Sequence, residues 1–192
     1  MIFVPSLISF FLYVCFVAVW IGLTDINNVL FGSTEEWWRS FLFLPHAVRV
    51  LSAVYLGWSA LPGLFLAHLL TWYLIFGEVT VLQLLAIFVS ASGCNIAVVL
   101  LQSSYIGPTR TNLRSFNESL YRHVFLVGLV GSLIISTVNG IFISWSGGQS
   151  IIDPMMTLRF IVGDMLGLVV TIFFASLIRS YVREYLKRDD VA

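Results

Sequence analysis

Few residues in this chain could do chemistry, and most of them stand inside apolar runs. His46 and Arg49 are three apart, a spacing that puts both on one face of a helix. Asp164 lies in RFIVGDMLGLVVTIFF, His68 in FLAHLLTWYLIF, Asn95 in SASGCNIAVVLLQ, and Asn139 toward the end of a further apolar stretch. A charged side chain at the centre of a bilayer costs about 3 kcal/mol on insertion scales, so each should face a partner or a cavity. Arg49 and Asp164 carry opposite charge, which leaves two readings open. One is a structural ion pair that locks two helices together. The other is a polar pocket, open to the periplasmic side, in which Arg49 presents its guanidinium fork to a small ligand. By depth, His46, Arg49, His68, Asn139 and Asp164 are expected to gather in the outer half of the membrane, with Asn95 deeper. His68 reads as an interhelical hydrogen-bonder rather than a catalyst, and Arg159 as a side chain that snorkels to the surface.

Nothing in these residues spells catalysis. The chain has no H-E-x-x-H, no G-x-S-x-G and no Walker sequence. A metal site would need His46, His68 and Asp164 to meet, and their spacing gives that no support. Cys15 and Cys94 sit in apolar runs, which argues against a disulfide framework or a thiolate site. The expectation is no enzymatic activity, no catalytic residue, no metal and no cofactor, with bound lipids the expected company.

The elements that must position these groups follow from composition. The chain has 192 residues, 59% hydrophobic and only 10% charged. A soluble domain is roughly 25% charged and could not hide so much apolar surface. Zero net charge argues against a nucleic-acid partner. The predicted fold class is all-α: a polytopic integral membrane helical bundle of about six transmembrane helices, forming a single domain over 1–192. The expected spans are about 2–23, 41–57, 61–76, 79–101, 124–145 and 158–178, each near the 20 residues a bilayer requires or somewhat shorter. The first lacks a charged start and a small-residue cleavage site, and so reads as an uncleaved helix. The apolar run 41–76 is too long for one span, and Trp58-Ser59-Ala60-Leu61-Pro62-Gly63 supplies the break. Gly128, Gly131, Gly163, Gly167 and Ala175 offer small surfaces for close helix packing.

Basic residues set the orientation. Arg110, Arg114 and Arg122 in the 102–122 loop share one side with Arg179, Arg183, Lys187 and Arg188 in the tail if there are six crossings. Both termini and the charged tail 179–192 are then cytoplasmic, and Arg110, Arg114 and Arg122 meet lipid head groups or a docking partner. The expected location is a bacterial inner (cytoplasmic) membrane.

Three segments resemble the MASE1 integral-membrane sensory domain. FLPHAVRVLSAVYLGWSALPGLFLAHLL is similar to its Pro-led helix followed by G-x-x-x-x-P-G-x-F-L-A, here Leu44-Pro45-His46, Gly57 to Pro62, Gly63 and Phe65-Leu66-Ala67. RFIVGDMLGLVVTIFF resembles its G-D-x-x-G ending through Gly163, Asp164 and Gly167, and Asn95 stands where the family has G-N-x-x-E-A, without the acidic residue. Residues 40–180 carry the resemblance. It implies a domain that senses a small ligand and passes a signal to an output module. The chain ends about a dozen residues past its last span, so that output is expected on a separate protein. The function expected first is a non-catalytic membrane subunit that docks on a larger membrane complex. The alternative is a small-ligand sensor or substrate-binding component with an outward polar pocket, acting through a partner.

Overall fold

In hydrocarbon the backbone finds no water, so its polar groups must be satisfied within helices. The computed structural model of the chain describes residues 3–31, 42–103, 118–146 and 154–189, and these form an all-α bundle. The helices are α1 (Phe3–Phe31), α2 (Pro45–Tyr55), α3 (Leu61–Phe76), α4 (Val81–Ser103), α5 (Glu118–Ser146) and α6 (Pro154–Asp189), with a 3-10 turn at Gly57–Ala60 between α2 and α3. Among the described residues, five segments are long and apolar enough to cross a membrane: Phe3–Asp25, Gly57–Ile75, Val81–Ser103, Tyr121–Phe142 and Thr157–Tyr181. The chain is therefore a multi-pass membrane protein.

Local chemistry explains the joints. Gly57 and Gly77 take positive φ values of 62° and 77°, the left-handed region that favours glycine. Gly57 turns the chain out of α2, and Gly77 closes α3 by donating its N–H to the Tyr73 carbonyl at 2.9 Å. Thr80 then opens α4 with a reciprocal cap. Its N–H donates to Gln83 Oε1 at 2.6 Å, and the Gln83 N–H donates to Thr80 Oγ1 at 3.3 Å.

The break expected near Pro62 is present, but the helix before it is not a full span. α2 has 11 residues, about 16 Å at 1.5 Å per residue, roughly half of a 30 Å hydrocarbon core. The predicted range 41–57 is taken up instead by α2 and a non-helical lead-in at residues 42–44. That lead-in is held by α6. The Phe43 N–H donates to the Gly163 carbonyl at 3.0 Å, and a Cβ on Gly167 would collide with the Phe43 carbonyl. Its own carbonyls are used too, Phe43 O by the His46 N–H and Leu44 O by the Ala47 N–H. Non-helical backbone inside a membrane is tolerated where protein surrounds it in this way.

Contacts fix the directions. Trp20 packs edge-on against Phe43, while Ser6 Oγ donates to the Ser59 carbonyl at 2.7 Å. So α2 runs antiparallel to α1, and the turn brings α3 back parallel to α1. A Cβ on Gly63 would overlap the Ser6 backbone, which shows how closely α1 and α3 approach. The shortest helix is also the most enclosed: every residue from Pro45 to Val54 except Leu51 is buried. One side of α2 (Ala47, Val50, Val54) joins Cys94, Ala97, Val127 and Leu168 from α4, α5 and α6. Val48 faces Tyr13, Val17, Leu64 and Ala67 from α1 and α3.

Other boundaries differ from expectation at their ends. α1 continues to Phe31, α4 reaches Ser103, and α5 begins at Glu118, so Arg122 lies on an exposed helical turn rather than in a loop. α6 extends through most of the charged tail to Asp189. Gly128 faces Leu168 and Gly131 faces Cys94 as small packing surfaces, whereas Ala175 is exposed and packs against nothing buried. Arg110 and Arg114 lie outside the described residues.

Candidate functional site

α2 carries its polar residues into the middle of the bundle. Arg49 is 3% exposed and Asp164 4%, and Arg49 Nη2 donates to Asp164 Oδ1 at 3.2 Å. His46, fully buried on the preceding turn, places Nδ1 3.2 Å from Asp164 Oδ2 and Nε2 3.2 Å from the Gly128 carbonyl. The i, i+3 spacing thus sets both side chains of α2 on one carboxylate of α6. The Phe43 ring covers the guanidinium, 5.1 Å from its carbon. Asp164 also lies by the N-terminal turn of α2, where the helix dipole favours an anion.

Not every polar atom of the contact is matched. A neutral imidazole donates from one nitrogen only. With Nε2–H given to Gly128 O, Nδ1 faces Oδ2 with no aligned hydrogen bond, and Arg49 Nε has no partner among the described residues.

The other expected members lie elsewhere. His68 stacks on Tyr13 with ring centroids 4.1 Å apart and shares a 2.8 Å hydrogen bond with the Leu64 carbonyl one turn back. Both rings are near enough to Arg49 to feel its charge, but neither touches the ion pair. Asn139 pairs with Ser90 instead: its Nδ2 donates to Ser90 Oγ at 3.2 Å, which joins α5 to α4. Tyr13 and Cys94, both within the field of Arg49 and Asp164, lie close to the middle of the Phe3–Asp25 and Val81–Ser103 segments. Asp164 itself is the eighth residue of the Thr157–Tyr181 segment, and of the five groups expected to converge the fold brings together His46, Arg49 and Asp164. Arg159 is exposed at the start of α6. Among the described residues no three His, Cys, Asp or Glu side chains are grouped as metal ligands would be.

His123 escaped the sequence reading. It directly follows Arg122 and borders the basic stretch, so it resembled an interfacial residue, yet it is 2% exposed. All three histidines of the chain are buried, and a scarce residue type that recurs only beside apolar runs was the available signal. Asn95, also 2% exposed, lies across a cleft from His123, between α2, α4 and α5. No family model, no curated protein and no solved structure matches the chain.

Proposed function

We propose that this chain is a non-catalytic integral membrane subunit that docks on a larger membrane protein complex. The observation that carries this reading is the closure of the Arg49–Asp164–His46 contact. Its charged groups are buried against one another, Arg49 bonded to Asp164 Oδ1 and His46 set beside Oδ2, the arrangement expected of a lock between helices. α6 supports the docking half of the reading. Its 36 residues reach about 54 Å, well beyond a core of about 30 Å, and Phe173, Phe174, Leu177, Ile178 and Tyr181 are all exposed along it.

The positive-inside distribution favours six crossings, with α2 and its lead-in making the second, and both termini cytoplasmic in a bacterial inner membrane. Arg110, Arg114 and Arg122 then lie at the cytoplasmic face, against anionic lipid or the partner.

A second reading draws on the N-terminus of α2. A half-length helix that starts inside a bundle resembles the broken helices with which transporters hold anionic groups. Here Asp164 occupies that position, and a small anion could replace it in a MASE1-like sensor or substrate-binding component that acts through a separate partner. Gentle extraction from the native membrane separates the two. A stable assembly containing a second membrane protein is the expected result. A monomer that carries a small molecule would favour the second reading.

A further inference from the structure

The cleft between α2, α4 and α5 opens at the end of the bundle that carries the Gly57–Ala60 turn. It is lined by apolar Ala53, Val54, Val98 and Val99 and by three polar side chains, Asn95 and Gln102 of α4 and His123 of α5. Asn95 and His123 are both 2% exposed, and neither Asn95 Nδ2 nor His123 Nδ1 has a hydrogen-bond partner among the described residues. Buried amide and imidazole groups are rarely left unpaired, because each then loses its hydration without replacement. The cleft mouth faces outward through Trp58 and Val99, which are 49% and 46% exposed. Ile96 and Leu100 continue that exposed apolar surface along α4. Tryptophan at such a position marks the interfacial depth of a bilayer. Arg122, next to His123, is exposed at the same end.

We propose that this cleft binds the glycerol-ester region of one phospholipid. An ester carbonyl accepts from Asn95 Nδ2, and a second lipid oxygen accepts from His123 in the tautomer that carries its proton on Nδ1. The acyl chain lies along Val98 and Val99, and Arg122 faces the phosphate. The mouth opens on the exposed apolar surface of Trp58, Ile96, Val99 and Leu100, where the neighbour of a multi-pass protein is lipid rather than bulk water.

The test uses the full chain in mild detergent and native mass spectrometry. The protein is titrated with a diester phosphatidylglycerol and with its diether analogue, which keeps the head group and chains but lacks both carbonyls. One diester lipid per chain should be retained about tenfold more tightly than the diether. The pair Asn95→Leu with His123→Phe should abolish that difference, and Ser90→Ala, in a separate polar pair, should preserve it. Equal retention of the two lipids by the unmodified protein would overturn the proposal, since it would assign binding to the head group. Retention of neither would overturn it as well. The comparison in unmodified protein decides the matter even if the double variant fails to fold.

Discussion

Arg49 and Asp164 form the buried ion pair among the described residues, and their geometry gives each a different dependence on its neighbours. Asp164 has Arg49, His46 and the first turn of α2 around it, whereas Arg49 rests on Asp164 and the Phe43 ring. The residues outside this contact should behave as packing. His68→Phe keeps the stack on Tyr13 and removes both ring nitrogens, Nε2 with no partner among the described residues and Nδ1 with its bond to the Leu64 carbonyl, an acceptor the α3 ladder also uses. It should change stability by less than about 1.5 kcal/mol in a thermal unfolding assay in detergent. A much larger loss would place His68 in the polar machinery. At this scale the sequence was informative where charge was concerned. Opposite charges in apolar runs have few ways to be satisfied, so Arg49 and Asp164 could be paired before any fold was known. Neutral groups carry no such constraint. Asn139 found Ser90, His68 found Tyr13, and His123 turned inward, none of which charge or spacing could dictate.

Among the elements, α2 depends most on tertiary contact. It is short, and its non-helical lead-in sits where Gly163 and Gly167 leave space for backbone against backbone. Gly167→Val should therefore displace residues 42–44 and cost about 3 kcal/mol, as overpacking does, with little folded protein recovered. Gly63→Val should act similarly through Ser6. Gly22→Ala is the control: nothing lies within 4 Å of a Cβ there, and the change should be neutral or stabilise by up to about 1 kcal/mol. Equal effects at all three sites, read by size-exclusion profile and melting temperature, would contradict this account of the lead-in. The break at 57–63 was legible because glycine and proline punctuate the chain. The half-length of α2 was not, since Leu42 to Leu44 are as apolar as any helical residues and the seat of Phe43 on α6 distinguishes them.

For the whole molecule, the all-α multi-span class follows from the apolar runs, and the directions of α1, α2 and α3 follow from the contacts of α1 with the α2–α3 joint. Cysteines introduced singly into 102–122, in a background lacking Cys15 and Cys94, should react with an impermeant reagent only from the cytoplasmic side. Labelling from the periplasm would overturn the six-crossing orientation. The central claim is that the buried ion pair is a lock rather than a binding site, and a double-mutant cycle in detergent tests it most directly. Arg49→Met and Asp164→Leu should each destabilise by about 3 to 5 kcal/mol, because each strands a buried charge. The two together should cost far less than their sum and still yield a protein of the same assembled size. Additive losses, or a well-folded double variant that has shed its partner or a small ligand, would contradict it.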